Sequence, residues 1–566
     1  MTTKIHSWLG KKDREKSLEA NTPISLKVAT PFIINSYYDS KKWGECFSGR
    51  ETKITIRALY RKKLEKLLGV AGDEEFIQLL WATHILQSDY SDAARKFIEP
   101  DTIPEGAITT EITSKLFIQK WEIETLANEL MTVPKRKPAK GGAIRRLRCD
   151  HFQSSVQCAN WLRKLENFEY TIQKKPQDIL VELGRIAARQ FEWQRGFANV
   201  PQFYRNAFVY GQGECAKYFE RQHGITINRF SRVGFLLYVS FNYAPVVRND
   251  ASWVKLGVEW DEVELVLKLI AMPYSKAAKS ARLKRKTIIH TADKPSVLRQ
   301  TPCLRFGRNG ERIRAPLPEL ILERVTSGVF YDVVIGDGKV RDDYGRRFEK
   351  YCFGYLSKML PRFKWESEFS YRKKSNTILT PDILCSEASK VTIAIECKAT
   401  RMSHEAMFGK NPMNARGYED LTKAVFQLWR FFSDCRQGHT RREVADEALG
   451  VVLTLDNWLI MADPLRELVL KDATKMADKS DQEISDEDRR PIVFIAVTEL
   501  ERTLSTATEV SFKESLAKAN SDNFFGWRLD GIHRELIGER KCEERGYPYA
   551  DSIGELLPWW DEFGEK

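Results

Sequence analysis

Between about Ile54 and Ile270, apolar residues recur every three or four positions, as in RALYRKKLEKLLGV, EEFIQLLWATHILQ and ANWLRKLENFEYTI. That period places them on one face of a helix, so this half predicts a mainly helical region with a scaffold or recognition role. The prolines, adjacent glycines and cations of PKRKPAKGG, residues 134–142, read as an exposed linker that divides it into two helical parts. A second break falls at Thr287 to Pro318, where proline and glycine punctuation follows a cationic helix end. Beyond it the period changes. Tyr344 to Leu360 reads as an amphipathic helix, followed by strand-like FKWESEFSYR, ILTPDILCS and KVTIAIECKAT, then a helix from about Tyr418 to Cys435. Strand-like GVVLTLD and IVFIAVT come last, separated by a helix and a polar run. The pattern predicts an α+β protein with units at 1–134, 143–286 and 319–566.

Composition adds limits. At 566 residues the chain exceeds one ordinary core, and 42% hydrophobic with 30% charged residues is the balance of a folded protein. No apolar run near the N-terminus suits a signal peptide and none elsewhere is long enough to span a bilayer, so no membrane and a cytoplasmic location are expected. Ten cysteines without a C-x-x-C pair indicate reduced, mostly buried thiols and neither a zinc ribbon nor a disulfide framework. GDGKV at 336–340 lacks the spacing and hydroxyl residue of a phosphate-binding loop, which argues against an NTP-driven motor.

One stretch carries chemistry. Asp382 follows Pro381 at the start of an apolar strand, Glu396 lies fourteen residues later on the next strand, and Lys398 stands two positions further on. A period of two puts Glu396 and Lys398 on one face, and pairing through a turn at SEASK brings Asp382 beside them. Such charges in a strand of Ile, Ala and Val are costly to bury unless they neutralise one another or hold a cation. Two hard carboxylates suit Mg²⁺, with the ammonium beside it to stabilise negative charge on a phosphate. A salt-bridged sheet edge uses the same three residues.

The P-D at 381–382 and E-C-K at 396–398, set between two helices, resemble the PD-(D/E)XK (restriction-endonuclease-like) nuclease superfamily over roughly Tyr344 to Asp456. The resemblance implies a mixed sheet flanked by helices and metal-dependent cleavage of DNA or RNA with Mg²⁺ or Mn²⁺. It implies that Asp382 and Glu396 are metal ligands and Lys398 the catalytic lysine. Glu349, in GRRFEKYCFGYL, is similar to the extra acidic residue that many members carry on the preceding helix. Gln427, in KAVFQLWRFF, is similar to the glutamine of some subfamilies, although their tyrosine four residues later is Phe431 here.

The net charge of +12 favours a polyanionic partner, and Ala271 to Pro316 holds twelve basic residues against two acidic ones. Lys276, Lys279, Arg282, Lys284, Arg285 and Lys286 are the candidate nucleic-acid contacts, on a helix end or in a helix-turn-helix. The expectation is an endonuclease acting on DNA in preference to RNA, in prokaryotic restriction or anti-phage defence, as a homo-oligomer or with a second subunit. The alternatives are a nucleic-acid-binding or assembly protein that does not cut, and an RNA-directed toxin nuclease.

Overall fold

The structure, a computed structural model, describes residues 50–136, 146–172, 199–285, 290–401, 416–456, 463–480, 483–521, 527–538 and 543–564, with a few isolated positions between them. The first half is helical where the period is helical: Arg50–Leu68, Asp73–Leu86, Lys120–Thr132, Phe152–Ile172, Val200–Tyr210, Ile227–Tyr243 and Trp260–Ile270. Their apolar stripes meet in a core containing Leu64, Phe76, Leu80, Leu126, Leu162, Phe203 and Phe235, all buried. The 134–142 stretch lies partly outside the described residues. Its start is docked, because Lys135 donates to the Leu68 and Ala71 carbonyls at 3.2 and 3.1 Å and pairs with Asp73 at 2.7 Å.

The segment read as a boundary at Thr287 to Pro318 contains strands. A three-stranded sheet forms from β1 (Ala271–Pro273), β2 (Cys303–Phe306) and β3 (Arg312–Arg314), with β1 parallel to β2 and β3 antiparallel to it. β1 separates the helices Trp260–Ile270 and Tyr274–Lys284, so Pro273 lies in a paired strand. Arginines of this segment stitch it to acidic residues of the helical half. Arg312 and Arg314 both hold Glu74, at 2.7 Å each. Arg299 grips Glu124 through Nε and Nη2 at 2.7 and 3.0 Å. Lys294 meets Glu129 at 3.1 Å.

The second half is built on a five-stranded mixed sheet in the order β10-β9-β8-β7-β4, made of β4 (Lys364–Ser367), β7 (Ile383–Glu387), β8 (Lys390–Lys398), β9 (Glu443–Thr454) and β10 (Ile492–Ala496). β8, β9 and β10 run parallel, while β7 and β4 are antiparallel to their neighbours. A separate two-stranded ribbon, β5 (Ser370–Lys373) and β6 (Asn376–Leu379), immediately precedes Asp382. The central strands read as continuous apolar runs because both faces are covered. Ile383, Ile393, Ile395, Val451 and Ile495 face the helix Gly338–Met359 and the helical half, in the same core as Phe203. Leu384, Ala394, Val452 and Phe494 face the helices Arg416–Arg436 and Asp463–Lys479 in a second core.

The helix expected at Tyr344 starts earlier, because Asp337 caps it by accepting the Val340 N–H at 3.2 Å. The C-terminal aromatics pack inward: Trp559 stacks on Phe235 at 5.3 Å and its indole N–H donates to Ser231 Oγ at 3.0 Å. Of the described cysteines all but Cys149 are buried, and each is a free thiol. Among the described residues, no helix is long and apolar enough to cross a membrane.

Glu124 is 7% exposed, and although burial pushes its carboxyl up, Arg299 holds it below its usual range. Removing one partner of a buried pair strands the other. Glu124→Ala should therefore destabilise the protein by about 3–5 kcal/mol in chemical denaturation, whereas Lys279→Ala, at an exposed helix position, should stay within about 0.5 kcal/mol of the parent.

Candidate active site

β7 and β8 form the hairpin that the sequence suggests. Ile383 pairs with Ile395, and Glu387 with Lys390 across a two-residue turn whose Ala388 and Ser389 both have positive φ, at 47° and 68°. That turn matches the right-handed twist of paired strands. With Ile383 and Ile395 on the helical-half face, alternation puts Asp382, Glu396 and Lys398 together on the face covered by the Arg416–Arg436 helix. Lys398 Nζ lies 2.8 Å from Glu396 Oε1. Asp382 accepts the Cys397 N–H at 2.6 Å, which ties it to the middle of the E-C-K segment.

The same bond fixes a backbone acceptor. The Leu455 N–H donates to the Lys398 carbonyl at 3.1 Å, so the Lys398 backbone faces β9. Alternation then turns the Cys397 carbonyl toward Asp382, beyond Ile383, the last residue at which β7 is paired. Asp382 and Glu396 thus supply carboxylate oxygens, hard donors of the kind that suit Mg²⁺ or Mn²⁺.

Electrostatics set the charge that the pair carries. Glu396 is 3% exposed, and burial raises its carboxyl although Lys398 and Arg430 pull it down. Asp382 is pushed up to about 9 by burial and by Glu396 and Glu349. Burial and the neighbouring carboxylates thus oppose a negative charge on Asp382. Burial opposes the charge on Lys398, but Glu396 and Asp382 prevail and keep its ammonium protonated.

Gln427 does reach the site: its Oε1 accepts from Lys398 Nζ at 3.3 Å. Phe431, four residues on, is buried in the second core. Glu349 is half-buried on the helix Gly338–Met359, its carboxyl raised by burial and by Glu368 and Glu396. Three neighbours escaped the sequence reading. Glu368 donates its backbone N–H to the Asp382 carbonyl at 3.0 Å and brings a further carboxylate. Asp420, bonded to Thr400 Oγ1 at 2.7 Å, supports the Lys398 charge. Arg430 stands one helical turn after Gln427, which is the signal that would have found it. The ribbon before Asp382 carries exposed Arg372 and Lys374 and is anchored where Tyr371 and Lys373 both bond buried Asp434 at 2.5 Å.

The cationic helix Tyr274–Lys284 buries Ala277, Ala278 and Ala281 and exposes Lys276, Lys279 and Arg282. Lys284 bonds Gln300 at 3.2 Å, and Arg285 is engaged with Glu65 and Thr132, both at 3.3 Å. Lys286 lies outside the described residues. The structure therefore leaves a smaller exposed basic patch than the run of charge suggests, because most of the arginines beyond it are ion-paired.

Among the described residues, one group of three side chains brings metal-type ligand atoms within 4.8 Å of one another: Glu99, Asp150 and His151, on the surface. Arg148 spans Glu99 and Asp150 at 3.1 and 2.8 Å, so a cation already occupies it.

A carboxyl raised on folding keeps a proton that the unfolded chain has lost, so metal-free stability should fall as pH rises from about 4 towards 9. Asp382→Asn should flatten that part of the melting-temperature profile and melt above the parent at pH 8 without divalent ions. Parallel profiles would contradict the assignment. No protein-family model, no curated protein and no solved structure matches this chain.

Proposed function

We propose that this protein is a metal-dependent nuclease that hydrolyses phosphodiester bonds, with DNA as the favoured substrate and endonucleolytic cutting as its mode. The observation that carries the reading is the placement of Glu396 and Lys398 on one strand face, 2.8 Å apart, with Asp382 bonded to the residue between them. The sheet order, with its antiparallel hairpin and helices on both faces, is compatible with a restriction-endonuclease-like core. A role in prokaryotic restriction or anti-phage defence follows from the resemblance, as does a homo-oligomer or a second subunit for cutting both strands.

Asp382, Glu396 and the Cys397 carbonyl would hold Mg²⁺ or Mn²⁺, which when bound supplies a Lewis acid for the phosphate and an acidified water. Lys398 directs its ammonium at the developing charge and is steadied by Gln427. Arg372 and Lys374 on the ribbon, with Lys276, Lys279 and Arg282, offer phosphate contacts without sequence information.

A second reading has its own support: the Lys398–Glu396 ion pair satisfies Glu396 without metal, as a binding protein that does not cut would require. Offering plasmid, linear duplex, single strand and RNA with Mg²⁺ or Mn²⁺ separates the readings. The nuclease predicts cleavage, lost on Asp382→Ala or Glu396→Ala and lowered about 10²–10³-fold by Lys398→Ala, with nucleic-acid binding kept. No cutting of any substrate in either metal would refute it, and cutting of RNA alone would make the enzyme a ribonuclease. Replacing Lys276, Lys279 and Arg282 together by Ala should reduce the magnitude of the salt slope of binding by up to about 3 while leaving the chemical step intact.

A further inference from the structure

β10 is the outermost strand of the central sheet, paired to β9 alone in that sheet. Beside it, between the helices Arg416–Arg436 and Asp463–Lys479 and the residues around Asn520 and Trp527, lies a cavity of about 400 Å³. That volume falls within the roughly 300–1,000 Å³ typical of small-ligand sites. It is separate from the Asp382 site, which sits on the β7–β8 hairpin.

The lining has a marked charge. Arg466, Arg489 and Arg490 all contribute to it, and no carboxylate does. The acidic partners of Arg489, Asp478 and Asp486, stand outside the lining with 54% and 99% of their side chains exposed, where water screens them. Arg490 is fixed in place: its Nη1 donates to the Asp446 carbonyl at 2.5 Å, and its own carbonyl accepts the Trp429 indole N–H at 3.0 Å. Buried Glu499, outside the lining, interacts with Arg466; guanidinium groups in a cavity wall favour an oxyanion, which they bind through paired hydrogen bonds.

Two tryptophans complete the wall. Trp429 is buried, whereas Trp527 is 47% exposed, a large ring left open beside three cations. Asn520 adds an amide to the lining. The lining offers a metal cation no carboxylate, and an apolar ligand does not match its three guanidinium groups. A bare phosphate leaves the rings unused.

We propose that this cavity binds a nucleoside phosphate, the phosphate held by the arginines and the base held against the tryptophans. The inference does not depend on the nuclease reading. Its test uses the full chain without divalent ions, titrated with each of the four ribonucleoside 5′-monophosphates, with adenosine and inorganic phosphate as controls, in thermal shift and calorimetry. At least one monophosphate should bind saturably and raise the melting temperature by about 2 °C or more. Adenosine and phosphate should each fall short of it. Arg490→Gln and Trp527→Ala should each weaken binding about tenfold or more; since Trp527 is half-exposed, its variant keeps the unliganded melting temperature near that of the parent. The proposal is overturned by the absence of binding for all four, by phosphate alone reproducing the full shift, or by unchanged affinity in both variants.

Discussion

Two carboxylates and an ammonium are held at the end of a strand that is otherwise apolar, and the arrangement of the second half follows from accommodating them. β8 is buried from Val391 to Cys397 because helices cover both faces of the sheet, so Glu396 enters a region where a lone charge is costly. Lys398 compensates it from the same face. Asp382 is brought opposite by the hairpin and tethered through the Cys397 N–H, and its carboxyl is raised by burial first and by Glu396 and Glu349 beside it.

The surrounding elements act on this cluster from both sides of the sheet. The Arg416–Arg436 helix supplies Gln427 to Lys398 and Arg430 to Glu396, and its Asp434 anchors the basic ribbon. The Gly338–Met359 helix brings Glu349 from the other side while packing the sheet onto the helical half. One continuous apolar core thus joins that helical half to the face of the sheet away from Glu396.

Much of this was legible in the sequence. Strand alternation in VTIAIECKAT assigns Glu396 and Lys398 to one face, and the SEASK turn dictates the hairpin that returns Asp382 to them. Local patterns of that kind survive folding because each rests on spacing within one or two elements. What the sequence concealed depends on contacts between distant segments. Arg299, Arg312 and Arg314 look like part of a polyanion-binding run, yet acidic residues more than 170 positions earlier neutralise them. β2 and β3 are too short and too basic for their alternation to register. Glu368 is an exposed acid in a polar stretch, and only the pairing of its backbone with Asp382 makes it a neighbour of the site.

The central claim is that Asp382 and Glu396 form the seat of a divalent ion. Calorimetric titration of Mn²⁺ at pH 7, repeated in buffers of different ionisation enthalpy, measures both the binding and the protons it displaces. The account predicts saturable binding that releases protons from the Asp382–Glu396 pair, and loss of both signals in an Asp382→Asn, Glu396→Gln double variant that remains folded. Equal Mn²⁺ binding by the parent and that variant would contradict it.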